Sequence, residues 1–459
     1  MRGKLWLGKA LGLVAVCLML ALVLAQIERL VRERLSYQQQ AGWSVRQSLA
    51  EAQTVLGPVL RQQCTEQWET VEEDSKGVAR RQARSESQVR TALPSQLSIN
   101  GELQPEARHR GLFKVNTYVG RLAVQAEWKD AKELQPVARH GGTLSCATPQ
   151  LLLSVSDARG LRSVSLKLNG ESLQPRPGSG LLLRAPTAPA SGSEPAAAQA
   201  ADPDTRQGLH AQLPRLDLNE RQRLDMQLDL VGTESFAWAP AAENLQMQLR
   251  SSWPHASFGG RFLPVQREAS DKGFRAEWRV SALATTAGAE LAEGRPVKDS
   301  LGVELIDPVN PYSLSERAMK YAILFIALVF VAVALIEVLG ALRVHPVQYL
   351  LVGLALGLFF LLLLALSEHL AFVMAYTLAA AGSSALLAGY AAALFKRWRA
   401  GAMFGAGVGG LYAALYQVLN LEQTALLMGS LLLFAVLGGV MFATRRIDWY
   451  AFTTRLQAD

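Results

Sequence analysis

YAILFIALVFVAVALIEVLGAL, residues 321–342, is a run of apolar side chains whose one charge is Glu337. At a rise of roughly 1.5 Å per residue, a helix of about 20 such residues reaches across the ~30 Å hydrocarbon core of a bilayer. Four more apolar runs follow, at 347–366, 370–395, 402–419 and 424–443, and only 402–419 is short for a span. The breaks between them carry the orientation. Arg343 with His345, then Lys396, Arg397 and Arg399, then Arg445 and Arg446 alternate with Glu368 and His369 and with Glu422, so cations fall at every second break. By the positive-inside rule the basic breaks face the cytoplasm and the others face outside. Residues 321–444 are therefore expected to form a five-helix transmembrane bundle, with 445–459 as a cytoplasmic tail.

Outward from that block, the 459-residue chain has its second apolar concentration at residues 5–25, behind Arg2 and Lys4 and broken once by Lys9. A cleavable signal peptide ending at Val23-Leu24-Ala25 and an uncleaved anchor both fit. The anchor, residues 1–26, is preferred. The stretch is long for a signal, and Ile27, Leu30, Val31 and Leu35 continue at helical spacing with Arg29, Arg32 and Arg34 on other faces. Either reading puts the next region outside the cytoplasm. The net charge of +7 raises the question of nucleic acid. The cations include clusters flanking the helices and no aromatic-basic module accompanies them, so the expected partner is the lipid bilayer and no nucleic acid is expected.

Residues 27–320 are too long for a loop and too polar for membrane, and are expected to be a mostly β exterior domain. Gly57-Pro58 breaks the helical pattern, and period-two alternation follows. Leu122, Val124, Ala126 and Trp128 share one face, as do Leu224, Met226, Leu228 and Leu230, then Leu245, Met247 and Leu249, then Phe274, Ala276, Trp278 and Val280. Such strands argue an antiparallel sandwich or a large open sheet. Asn100-Gly101 and Asn169-Gly170 each carry the pair that supports a type I′ hairpin turn. Residues 185–204, APTAPASGSEPAAAQAADPD, hold no large apolar side chain and cannot offset the entropy of ordering. They are expected to be a flexible insertion; a linker between two exterior subdomains is the other reading. Of three cysteines, Cys17 lies in the first apolar segment, and Cys64 and Cys146 lie in the exterior region, where a disulfide forms and persists. Two buried small apolar residues are the alternative there. None has metal-ligand spacing.

The residues 405–410, GAGVGG, match the dinucleotide fingerprint by letter, but that fingerprint needs a strand before it and a helix after it, and these residues sit inside an expected transmembrane helix. Gly401, Gly405 and Gly409 instead put small residues on one helix face, the pattern of close helix packing, within the chain or in an oligomer. Glu368 and His369 are the best chemical candidates, a carboxylate and an imidazole at an exterior membrane boundary. The plainer reading is a pair that ends two helices among headgroups. Glu337 is either functional within its span or paired at the interface with Arg343. Residues 252–264, with Trp253 and Phe262, form a recognition surface or a loop packed over a sheet edge. Ser156-Asp157-Ala158-Arg159-Gly160 reads as a turn. No catalytic constellation and no cofactor motif is found.

The order of these pieces closely resembles the CreD family of bacterial inner-membrane proteins, also called the cell envelope integrity or colicin-tolerance family. The resemblance covers nearly the whole chain. It is carried by Leu56-Gly57-Pro58-Val59-Leu60, Ser154-Val155-Ser156-Asp157-Ala158-Arg159-Gly160, Ser252-Trp253-Pro254-His255, Phe262-Leu263-Pro264, His345-Pro346 with Gln348-Tyr349-Leu350, Leu366-Ser367-Glu368-His369 and Ile447-Asp448-Trp449-Tyr450. It implies the inner membrane of a Gram-negative bacterium, a periplasmic domain, production controlled by a two-component system and an influence on envelope integrity. It implies no reaction and no site residues. Residues 185–204, Cys64 and Cys146 depart from the family pattern. The expectation is therefore a membrane α-helical protein of six transmembrane helices with a large mainly-β periplasmic domain and both termini cytoplasmic. Its expected role is non-enzymatic, binding an envelope protein or a cell-wall or lipid component. A transporter or membrane enzyme using Glu368, His369 and Glu337 is the alternative.

Overall fold

The computed structural model of the chain describes residues 3–73, 79–183, 207–306, 310–339, 344–420 and 425–445. Residues 185–204, Arg343, Glu422, Arg446 and Asp448-Trp449-Tyr450 lie outside these. Two compact units divide the chain, Met1–Gln39 with Val309–Asp459, and Gln40–Pro308.

Helix α1 runs unbroken over Gly3–Ser48, well past residue 26, where the sequence reading set the end of the anchor. Its polar second half has the composition of a helix, rich in Glu, Arg, Leu and Gln. It is laced by spacings of four, with Arg32 donating to Glu28 at 2.5 Å and the Tyr37 hydroxyl to Glu33 at 3.1 Å. The break expected at Gly57-Pro58 is not the helix end. Those two residues sit inside the strand Gln53–Glu73, where the register against Gln150–Val155 shifts between Leu56 and Val59. Gly57 at φ 107° supplies the backbone conformation that this irregularity needs.

Among the described residues the unit Gln40–Pro308 is built from two sheets, of nine and eight strands, packed on one core. In spatial order the first holds Ala256–Gly260, Leu301–Leu305, Ser235–Ala239, Gln53–Glu73, Gln150–Val155, Leu209–Gln212 and Arg176–Pro177. Ala79–Ala92 and Thr143–Cys146 pair with the far half of Gln53–Glu73. The second runs Gln266–Ser270, Gly273–Ser281, Asn244–Ser251, Gln96–Arg110, Phe113–Trp128, Gln222–Thr233, Leu161–Leu168 and Glu171–Leu173. The four alternating sets read from sequence all point inward, and Trp128, Trp238 and Trp278 are fully buried between the sheets. The sandwich is not purely antiparallel, because Gln53–Leu56 pairs parallel with Phe236–Ala239, and Leu97–Leu103 with Leu245–Ser251.

One Asn-Gly pair turns a hairpin and the other does not. Asn169 and Gly170, at φ 50° and 86°, join Leu161–Leu168 to Glu171–Leu173. Asn100 and Gly101 continue straight through a central strand. A Cβ on Gly101 would come 2.5 Å from Leu122 and Leu249 of the two flanking strands, so the glycine makes room for leucines. The turn signal was local, and the neighbours overrode it.

The other unit is helical. α2 (Ala287–Ala292) belongs to the β unit; then come α3 (Pro311–Lys320), α4 (Ala322–Leu339), α5 (Pro346–Ser367), α6 (Phe372–Phe395), α7 (Trp398–Asn420) and α8 (Ala425–Thr444). Among the described residues four helices are long and apolar enough to cross a membrane, Leu11–Ser48, α5, α6 and α7. A fifth follows if α3 and α4, bent by 47° at their junction, count as one span. The segment that looked short, 402–419, lies within the 23 residues of α7. α5 begins with a reciprocal cap, since the Val347 N–H donates to His345 Nδ1 and the His345 N–H to the Gln348 side-chain Oε1, with Pro346 in the first turn. α6 ends at Lys396, whose φ of 52° turns the chain directly into α7.

Candidate functional site

In the helical unit, Glu368 caps the end of α5 and forms an ion pair with Arg34 of α1 at 3.3 Å, its side chain only 12% exposed. His369, the next residue, is exposed, and its backbone N–H closes onto Leu366. The two candidates are thus neighbours in sequence with different surroundings. Glu337 accepts from the Tyr349 hydroxyl at 3.0 Å and from the Val344 N–H at 3.3 Å, tying α4 to the start of α5. Nineteen residues of chain, nearly all in α5, separate Tyr349 from Glu368, about 28 Å at roughly 1.5 Å per residue. Glu337 and Glu368 therefore stand near opposite ends of one helix and do not share a site.

The glycine ridge of α7 meets α6. A Cβ on Gly401 would lie 2.5 Å from the Ala388 carbonyl oxygen and from the Ala392 Cβ, and one on Gly405 2.5 Å from the Ala388 Cβ; at Gly409 the nearest atom is Ser384 Oγ at 3.7 Å. Small residues on both helices bring the backbones together, so Gly401 and Gly405 pack inside the chain. Gly405→Leu is expected to destabilise the helical unit by about 1–3 kcal/mol through overpacking. A lowered thermal midpoint in detergent checks it, with Gly410→Leu, where nothing lies within 4 Å, as the neutral comparison.

Sequence reasoning missed a buried polar seam across α5, α6 and α7. The Tyr376 hydroxyl donates to the Tyr412 carbonyl at 2.6 Å, and Ser383 Oγ reaches the Tyr412 hydroxyl at 3.0 Å and the Ala355 carbonyl at 3.2 Å. Phe359 packs on Tyr412 with ring centroids 4.2 Å apart. Its signal was the isolated Ser and Tyr within apolar runs.

In the β unit the aromatic cluster is committed to packing. Residues 256–260 form an edge strand, Phe258 meets Phe274 and Trp278 edge-on, and the Phe262 carbonyl accepts from Trp278 Nε1. Trp253 Nε1 donates to the Ile306 carbonyl at 2.9 Å, and Lys114 Nζ lies 5.4 Å from its ring centroid. The family-like Ser156–Gly160 segment folds as a turn with a structural task. Asp157 accepts from the Glu51 and Arg159 backbone N–H groups and from the Arg159 guanidinium, which also reaches the Gln47 carbonyl at the end of α1. Burial alone would raise the Asp157 pKa, but these donors hold it below the ordinary carboxylate value.

Cys64 and Cys146 face each other across antiparallel strands and are joined by a disulfide. Close by, the fully buried Glu66 receives the backbone N–H groups of Arg139, His140 and Gly142 at 2.8–3.0 Å. Burial opposes its charge, yet the three donors, with the His140 imidazole, prevail and lower its pKa from 4.5 to about 2. A depressed folded-state pKa adds stability that is complete above about pH 4.5 and is lost as pH falls through about 2. The stability difference between wild type and Glu66→Gln is accordingly expected to shrink across that window in acid denaturation. A gap that stays constant from neutrality to pH 2 would count against the assignment.

A polar depression opens on the solvent face of the second sheet, a cavity of about 560 Å³. Asn100 and Ala123, which face each other across neighbouring strands, line it together with Glu102, Arg121, Arg250 and Arg275. Glu102 accepts from Arg250 at 2.7 Å, and that bond, with help from Gln104, lowers its pKa. Sequence reasoning passed over it because it occupies the polar half of the alternating strands. No group of three or more His, Cys, Asp and Glu arranged to hold a metal occurs among the described residues.

A mainly-β sandwich joined in one chain to several membrane-length helices defines the class, a helical membrane protein with a large β domain. Residues 6–450 match the family described as Inner membrane protein CreD. The chain is 34% identical over 451 residues to Inner membrane protein CreD of Escherichia coli (strain K12), covering 97% of this chain and 94% of that one. It belongs to the CreD family of inner membrane proteins. Among solved structures, the M1 zinc metallopeptidase of Deinococcus radiodurans shares 12% identity over 46% of this chain and 41% of that one at a TM-score of 0.21. A substrate-bound variant of it gives 0.22 at 11%, covering 46% and 42%. Likeness at that level carries no argument.

Proposed function

We propose that this protein crosses the inner membrane six times, through α1, the bent α3–α4 pair, α5, α6, α7 and α8, with both termini cytoplasmic and the β unit in the periplasm. It serves envelope integrity by binding. The alternation of basic and acidic breaks supports the orientation. The Cys64–Cys146 disulfide supports an oxidising compartment for the β unit. The observation that carries the binding reading is the open depression around Asn100 and Ala123, where three arginines outnumber Glu102 and Asp229. Its chemistry suits an envelope component that presents anionic and hydroxyl groups to a row of guanidinium and amide donors.

The test pairs two sets of variants in cells. Arg121→Gln with Arg250→Gln and Arg275→Gln should abolish envelope-stress tolerance at unchanged protein abundance, while Glu368→Gln and His369→Gln should retain it. The opposite pattern would overturn the binding reading in favour of a transporter or membrane enzyme. The observation favouring that second reading is the mostly buried Glu368 carboxylate, paired with the more exposed Arg34. Orientation is checked by labelling from outside, which should modify a cysteine placed within residues 185–204 and spare one placed beside Arg397.

A further inference from the structure

A crevice of about 790 Å³ runs between α4 and α7. Val329 and Ile336 of α4 form one wall, and Met403, Gly407 and Leu411 of α7 form the other, with Arg397 at one end. We infer that it is a binding site for one anionic phospholipid, with an acyl chain along the crevice and the phosphate at Arg397 and Arg399. The inference rests on the helical unit lying in a bilayer and is independent of what the β unit binds.

Length, charge and shape each support that occupant. From Ala400 to Leu411 the lining spans eleven helical rises, about 16 Å at roughly 1.5 Å each, which is about one leaflet of a ~30 Å hydrocarbon core. An acyl chain hanging from a headgroup at Arg397 therefore ends where the crevice ends. At that headgroup level Lys396, Arg397 and Arg399 are all exposed, and among the described residues none is paired with a carboxylate. Trp398, 74% exposed with the Arg399 guanidinium 5.9 Å from its ring centroid, occupies the place of an interfacial anchor. Each cation at a membrane surface strengthens attraction to anionic lipid about fivefold. The floor of the crevice is open because a Cβ on Gly407 would meet nothing within 4 Å. Gly401 and Gly405 press on α6 from another face of α7, so the crevice can be filled without disturbing that packing.

The full chain, purified in detergent and stripped of lipid, is titrated with phosphatidylglycerol and with phosphatidylethanolamine, and bound lipid is counted by native mass spectrometry. Wild type should hold one phosphatidylglycerol at least about fivefold more tightly than phosphatidylethanolamine. Arg397→Gln with Arg399→Gln should erase that preference, and Gly407→Leu should remove the bound lipid, while Gly410→Leu keeps it. Elution on size exclusion separates a misfolded variant from a blocked one, and the arginine variants, at exposed positions, keep the test standing if Gly407→Leu fails to fold. Equal retention of the two lipids by wild type, retention unchanged in a folded Gly407→Leu protein, or a wild-type dimer that forms on delipidation and is lost in Gly407→Leu would each overturn the assignment.

Discussion

Alanine at both Cys64 and Cys146 is expected to lower the stability of the β unit by about 4.5 kcal/mol, the chain-entropy value for a loop of this length. The two residues are 82 apart in sequence, and closing so long a loop in advance removes many conformations from the unfolded chain. Alanine is the right replacement, because Cys64 is fully buried and a serine hydroxyl there would add the separate cost of burying a polar group. Reductant applied to wild type should reproduce the effect without any substitution. The readout is urea unfolding followed by fluorescence of the buried Trp128, Trp238 and Trp278. With a slope of about 3 kcal/mol per molar, the midpoint should fall by more than ~1 M. Equal midpoints for oxidised and reduced protein would show that the closed loop contributes nothing to the stability of this sandwich.

The same strand pair shows what was legible in the sequence and what was not. An exterior compartment for Cys64 and Cys146 was an expectation from the charge pattern, but whether they meet depends on the register of Gln53–Glu73 against Thr143–Cys146, which no local pattern encodes. Strands with an apolar face were readable, since Leu224, Met226, Leu228 and Leu230 leave an unmistakable period of two. The outer half of the long hairpin, Ala79–Ala92 against Gln53–Glu73, was not, because its residues are polar on both faces and carry no period at all. Both parallel pairings were out of reach for the same reason as the disulfide. They join segments more than a hundred residues apart, and alternation says which face is buried without naming the neighbour.

Among the site candidates, sequence distinguished kinds of residue better than partners. Gly401, Gly405 and Gly409 marked a packing face, yet only the fold shows that Ser384, Ala388 and Ala392 fill it. Glu368 was picked out as an ionisable group at a helix end. Its partner Arg34 was visible merely as a cation on a polar helix face, because helical spacing fixes which residues share a face and leaves open which helix that face meets. The depression on the second sheet escaped notice altogether, since an outward polar position looks the same whether it is convex surface or the floor of a groove.

Trp238→Ala is expected to destabilise the β unit by about 3–5 kcal/mol, the range for removing a large aromatic side chain from a core. Trp238 lies in the middle of the first sheet, paired on one side with Val55 in parallel and on the other with Leu301 in antiparallel register, and no part of it reaches solvent. Strands on both flanks resist collapse into the void, which puts the cost toward the upper end. Its Nε1 also donates to the Gly57 carbonyl at 3.1 Å, at the register shift inside the strand Gln53–Glu73. Trp238→Phe separates the two contributions, because it keeps most of the volume and removes the donor. That variant should lose about 1–3 kcal/mol, the cost of leaving a buried carbonyl without its partner. Urea unfolding of the three proteins gives the order wild type, Trp238→Phe, Trp238→Ala. If phenylalanine proved as damaging as alanine, the hydrogen bond to Gly57, more than the filled space, would be what holds this strand to its parallel neighbour.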